Sequence, residues 1–174
     1  MIDYELLQPM LKQIKTGAFL TTKMGNQINT MTIGWMTIGQ VWNQDVVSVY
    51  VRFSRHTYDL IQNSNCFTIS FPAPKAMLDK VKEWGEKSGR DYIKLNVKDV
   101  TATKSVDGVV IDGCDIHIEC EKIYDQIMDP KKLNNKLFAE FYGDSGDYHH
   151  IYYGKIIKMY AEEKLELFPG KTDK

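Results

Sequence analysis

Two nearby stretches carry residue types suited to holding a ligand. The first, residues 28–39, mixes Thr, Met, Trp and Gly where a plain core strand would show Val, Ile and Leu. Read as one strand, its two faces are Ile28, Thr30, Thr32, Gly34, Met36, Ile38 and Asn29, Met31, Ile33, Trp35, Thr37, Gly39. Gly34 and Gly39 let a planar ring or another backbone approach closely. Asn29, Thr30, Thr32 and Thr37 can hydrogen-bond such a ring beside the apolar Trp35 and Met36. A Thr-rich strand of an ordinary twisted sheet fits the same composition. The second stretch is Arg52-Phe53-Ser54-Arg55-His56-Thr57, at the start of a predicted helix. Arg52, Ser54, Arg55 and Thr57 there suit a phosphate, through guanidinium forks, hydroxyls and free backbone N–H groups. Simple N-caps at Ser54 and Thr57, with solvated arginines, are the alternative. One ligand satisfies both stretches, a flat aromatic system bearing a phosphate, and FMN has that chemistry.

Other candidates are weaker alone. Ser88, Gly89, Arg90 and Lys94 make a second small basic turn, which a helix C-terminus would also welcome. His149 and His150 open a strand, so they point to opposite faces and cannot easily share one metal. No metal site is predicted. One of these histidines, facing a pocket, can hydrogen-bond a flavin edge or a reductant. No Ser-His-Asp or Cys-His arrangement and no GxGxxG is legible. Cys66, Cys114 and Cys120 lack metal-like or CxxC spacing and read as buried reduced thiols.

These residues need elements to position them. The 174 residues read as one domain, long enough to bury a core without staples. A net charge of −1 and a pI near 6.4 favour neither nucleic acid nor an anionic membrane, so any anion site is local. No stretch approaches the roughly 20 apolar residues of a membrane span, and residues 1–10 carry acids where a signal peptide wants cations. A cytoplasmic protein is expected. Periodicity predicts a helix over residues 4–16, built on Leu6, Leu7, Met10, Leu11 and Ile14, starting near Pro9 and ending at Gly17. Strands are predicted at 18–22, 28–39, 46–53, 66–71, 115–127, 137–142 and 151–160, with a short one at 109–111. Turns are expected at 23–26, 43–45 and 143–147, and Pro72-Ala73-Pro74 closes the fourth strand. Helices are predicted over 56–63 and 75–87, the latter burying Met77, Leu78, Val81 and Trp84. About seven strands with few short helices describe a mainly β fold, a barrel decorated by helices.

With those residues in view, the chain resembles the flavin reductase-like family of FMN-binding split-barrel proteins. The resemblance rests on NTMTIGWMTIG, VYVRFSRHTYDLI and CFTISFP, and less specifically on KSGRDYIKL and HHIYYGKI, and runs from about Gly17 to Tyr160. It implies a closed antiparallel split β-barrel of Greek-key type and a homodimer with FMN near the subunit interface. It implies that Asn29, Met31, Thr32, Trp35, Met36 and Thr37 line the isoalloxazine. Arg52, Ser54, Arg55 and Thr57 take the phosphate. Ser88 and Lys94 approach the flavin, and His149 or His150 lies where a nicotinamide stacks. Where family members often carry Cys-Gly, this chain has Trp84-Gly85, which is expected to reshape the mouth of the site. The implied activity passes electrons from NAD(P)H through flavin to a flavin, metal complex or protein acceptor. A non-enzymatic, flavoredoxin-like FMN carrier is the alternative, and a binding module for haem or a pyridoxal phosphate relative is a third class.

Overall fold

The computed structural model describes residues 2–72, 77–143 and 145–162, without the side chain of Leu78. The predicted Ala73-Pro74 stop, the helix start at Lys75, Asp144 of the predicted turn and the tail from 163 lie outside those residues. In chain order the elements are α1 (Tyr4–Gln13), β1 (Ala18–Met24), β2 (Gln27–Ile33), β3 (Met36–Val41), β4 (Gln44–Arg52), α2 (His56–Ile61) and β5 (Cys66–Pro72). Then come α3 (Leu78–Glu86), β6 (Val100–Ala102), β7 (Val109–Ile111), β8 (Cys114–Ile127), α4 (Asn135–Phe141) and β9 (His149–Ala161).

Seven strands form one antiparallel sheet in the order β2-β1-β5-β8-β9-β4-β3. The outermost strands, β2 and β3, are joined by Gly34 and Trp35 alone. Three peptide units span at most about 11 Å, whereas the outer strands of a flat seven-stranded sheet stand about 29 Å apart. The sheet must therefore curl until the end of β2 and the start of β3 come together at the link, as in a split barrel, without the closure expected from the sequence. Among the described residues no ladder joins β2 to β3, so the meeting edges form a seam. The strand predicted over 28–39 is broken at this point. Residue types that favour strands continue through it, but the pairing partner changes from β1 to β4. β9 lies between β8 and β4 and joins the two parts of the sheet.

The interior holds Leu20, Met31, Val47, Val49, Val51, Phe67, Ile69, Ile118 and Tyr152, the inward alternates of their strands. A second cluster lies outside β1, where Phe19 meets Met77, Val81, Trp84, Ile111 and Cys114. Covered on both faces, β1 is buried throughout residues 18–22, which accounts for its short continuous apolar run. α1 starts at Tyr4, well before Pro9, which the helix holds in its interior. Asp3 caps it by accepting from the Glu5 N–H at 3.0 Å, and burial of Leu6 and Met10 secures it, while Leu11 stays exposed. Residues 137–142, predicted as a strand, belong mostly to α4. The Asn134 side chain caps that helix by accepting from the Lys136 N–H at 2.9 Å, and a run as short as LFAEFY carries no decisive period. β6, unpredicted, pairs with β7 as a separate two-stranded sheet.

Gly154 of β9 crosses over Phe67 with no room for a side chain. A Cβ there would stand 2.7 Å from Cys120 Cβ and closer still to the Phe67 ring. Gly154→Ala is expected to cost about 1–3 kcal/mol by overpacking. In urea unfolding this reads as a lower midpoint at unchanged slope.

Candidate functional site

β2 pairs only with β1, so one of its edges is open. The β1–β2 turn, Gly25-Asn26, closes on the Met24–Gln27 pair, with Gly25 at φ 58° as the first residue of a type II′ turn requires. From that pair, alternation directs the backbone groups of Asn29, Met31 and Ile33 to β1 and those of Ile28, Thr30 and Thr32 to the open edge. Lys94 confirms the phase, its Nζ donating to Thr30 O at 3.0 Å.

Three cavities line this edge and share walls. A cavity of about 170 Å³ is bounded by Met31, Thr32, the link residues Gly34 and Trp35, Tyr50, Arg52, Arg55 and His149. A second, of about 80 Å³, shares Met31 and Arg55 with it and adds Asn29, Ser54, His56, Thr57, Glu86, Lys87, Ser88, Gly89 and Lys94, so that one acid stands among its cations. The third, of about 110 Å³, shares Asn29, Gly89 and Lys94 and continues past Thr30 to Tyr92. Together they trace a groove along the seam.

One end of the groove is cationic. Arg55 donates to Gly85 O at 2.6 Å, and half-buried Lys94 donates to Trp84 O at 2.8 Å as well as to Thr30 O. Burial, and then the Arg55 charge, lower the Lys94 ammonium to about 8. Neither cation forms an ion pair among the described residues. Two neighbouring cations held by neutral carbonyls leave a net positive wall that favours an anion. Gly89 fits between Asn29 and His56, since a Cβ there would lie 3.1 Å from His56 Cδ2 and collide with Asn29 Oδ1.

The other predicted phosphate ligands have different work. Arg52 donates to Asp147 O at 2.7 Å and Phe141 O at 3.0 Å. Ser54 gives both its N–H, at 3.0 Å, and its hydroxyl, at 2.7 Å, to the Asp147 carboxylate. Neither Ser54 nor Thr57 caps α2, whose N-cap is Arg55 without a side-chain bond. The buried Thr57 hydroxyl instead accepts from Asn29 Nδ2 at 2.7 Å. At six residues, α2 adds little dipole, so the charge at this end comes from side chains.

The opposite end is aromatic. Trp35 packs 4.7 Å from the His149 ring, 5.2 Å from Phe141 and 6.3 Å from Tyr50. Register explains the grouping, because Arg52 pairs with His149 across β4 and β9, and Tyr50 lies two residues along the same face. His150 turns the other way. Its Nε2 meets Asp125 Oδ1 at 2.6 Å and its ring stacks on Tyr152 at 4.5 Å. Desolvation, reinforced by Arg52 and Arg55, pushes His149 down to about 4, so its imidazole is neutral at pH 7.

Of the predicted residues, Asn29, Met31, Thr32, Trp35, Arg52, Ser54, Arg55, Thr57, Ser88, Lys94 and His149 border these cavities. Thr30 borders the third, but its hydroxyl donates inward to Leu20 O at 3.2 Å. Met36 and Thr37 lie beyond the link on β3. Met36 packs against the interior and Thr37 bonds Ser48, so the break removes both from the groove. Tyr50 went unpredicted, although its alternation with Arg52 carried the signal. Trp84 packs tilted against Phe19 at 4.8 Å, inside the outer cluster, so it does not shape the mouth. Gly85 lies behind Thr32, where a Cβ would come 3.4 Å from Thr32 Cβ.

A family model described as flavin reductase-like domain matches residues 12–170. No curated protein matches the chain in sequence. Among solved structures, a flavoredoxin from Methanosarcina acetivorans is similar at 22% identity and a TM-score of 0.65, over 84% of this chain and 68% of that one. An FMN-binding protein from Thermus thermophilus with bound 1-cyclohex-2-enone is similar at 20% identity and 0.66, over 86% and 71%. An NADH:FAD oxidoreductase from Streptomyces globisporus is similar at 12% identity and 0.63, over 93% and 87%. Among the described residues no helix is long and apolar enough to cross a membrane.

His149, and the buried His117 of β8, which meets the Ser70 hydroxyl at 3.0 Å, are both held near 4 by desolvation. The unfolded chain protonates them near 6.5 and the folded chain only near 4, so the unfolded state binds more protons between these values. Stability is therefore expected to fall as pH drops from about 6.5 towards 4, by up to about 3 kcal/mol for each histidine. Denaturant unfolding of the ligand-free protein across that range checks this, and His149→Gln should remove about half of the slope.

Proposed function

This chain belongs to the flavin reductase-like family, and we propose that it binds FMN along the seam and works as an NAD(P)H-dependent oxidoreductase. Its electrons would pass to a second flavin, a metal complex or a protein acceptor. The observation that carries this reading is the groove itself. It has a cationic end where Arg55 and Lys94 form no ion pair among the described residues, although Glu86 also borders it, an open strand edge, and an aromatic end with a neutral histidine.

These features fit the cofactor part by part. Arg55 and Lys94, with the Ser88-Gly89 turn, would hold the phosphate. The backbone groups of Thr30 and Thr32 on the open edge suit the polar rim of the ring system, and Met31 gives it an apolar contact. Trp35, Tyr50 and His149 would receive a second planar ring. When bound, FMN supplies the redox chemistry, accepting a hydride at N5 and releasing the electrons onward. The chain need only bind, orient and exclude water, since hydride transfer requires no acid or base from the protein. The FMN named for the Thermus protein supports this cofactor.

None of these three cavities reaches the roughly 300 Å³ of a small-molecule site. A second copy of the chain completing the groove agrees with that, so the assembly is proposed to be a homodimer. The likeness to flavoredoxin favours a second reading, an FMN electron carrier without nicotinamide turnover.

The purified protein should show the absorbance bands of oxidised flavin, and NADH or NADPH should bleach them without oxygen. Bleaching by neither nucleotide would leave the carrier reading. Arg55→Ala and Lys94→Ala should each weaken FMN binding by about 1.5–3 kcal/mol, measured by titration of the stripped protein. Arg52→Ala should instead lower stability, because its fork holds carbonyls. An unchanged affinity in the Arg55 and Lys94 variants would dismiss the phosphate assignment.

A further inference from the structure

The aromatic end of the groove has a second layer. His149 borders the cavity, and behind it the Tyr142 hydroxyl stands 2.6 Å from Nδ1. Tyr142 is buried at the C-cap of α4 and does not border the cavity. His149 Nε2 has no hydrogen bond among the described residues. The imidazole thus stands between a buried hydroxyl and the open cavity.

A phenol has one proton to give. The candidate acceptors here are His149 Nδ1, and Met128 Sδ at 3.2 Å. A thioether is a weak acceptor and a neutral imidazole nitrogen a strong one. The proton therefore goes to Nδ1. Burial first, then the Arg52 and Arg55 charges, keep it neutral at pH 7 against the opposing pull of the Asp147 carboxylate. A neutral ring accepting at Nδ1 must carry its own proton on Nε2.

Tyr142 is itself fixed from both sides. The Arg52 guanidinium lies 5.2 Å from its ring centroid and bonds Phe141 O, just before it, and Asp147 O, just after the turn. We propose that Tyr142 is a positioning residue that locks His149 in the Nε2–H tautomer, so that the cavity offers an N–H donor to a carbonyl-bearing planar ligand. The ligand class rests on the reading above, in which a nicotinamide with its carboxamide oxygen occupies this cavity. The tautomer does not depend on it.

The test uses nitrogen NMR of the histidine rings in the full chain at pH 7, beside steady-state kinetics. The wild-type spectrum should show His149 protonated at Nε2, and Tyr142→Phe, which keeps the ring over Arg52, should shift it to a tautomer mixture. The same variant should raise KM for the nicotinamide roughly two- to tenfold, at unchanged FMN affinity and little changed kcat. A wild-type His149 protonated at Nδ1 overturns the proposal, and needs no variant to fold. So does a Tyr142→Phe protein with the wild-type tautomer. A KM unmoved by a demonstrated change of tautomer overturns the donor role. Absence of any nicotinamide turnover would instead count against the reductase reading, with the tautomer judged by the spectrum.

Discussion

Two residues set the geometry on which everything else depends. Gly34 and Trp35 tie the first strand of the sheet order to the last, and no flat sheet allows so short a tie. Curling satisfies it and places an open edge of β2 where β3 begins and β4 ends. Because the link residues border the larger cavity, the constraint that shapes the barrel also places Trp35 against His149. Fold and groove have one origin.

Cations along the groove divide their labour by what they touch. Arg52 spends its fork on two carbonyls and ties down the segment between α4 and β9. Arg55 and Lys94 bond carbonyls too, yet keep their charges unmatched beside a cavity. Two arginines three residues apart therefore differ in consequence: Arg52 is approached by a carboxylate, and Arg55 has no carboxylate partner among the described residues. Asp147 marks the boundary, since it takes Ser54 and approaches Arg52 to 4.0 Å, and does not reach Arg55.

Much of this was legible because it is local. Val47, Val49 and Val51 alternate as they do in the barrel, and residues 115–127 read as the long strand they are. The opposed directions of His149 and His150 follow from strand geometry, but which one meets the groove depends on the pairing with Arg52, a tertiary fact. The break at Gly34-Trp35 left no trace in composition, because Ile, Thr and Met suit strands on either side. Arg52 and Arg55 could not be told apart either, since the carbonyls that claim Arg52 come from residues about ninety positions away. Tyr142 stayed hidden inside an apolar run misread as a strand.

The place of β9 has a bearing on how the protein is made. It is the last strand in chain order, yet it sits inside the sheet, between β8 and β4. Until it inserts, β4 and β3 are tethered to the rest by chain connections alone. His149 is missing from the groove, and Trp35 lacks its partner from β9. Synthesis runs from the N-terminus at about 5–20 residues per second, so residues 18–52 emerge several seconds before the strand that completes their site. Non-local pairing of this kind slows folding, because the loop must close before its contacts form. The groove is therefore complete only after β9 has taken its place between β8 and β4.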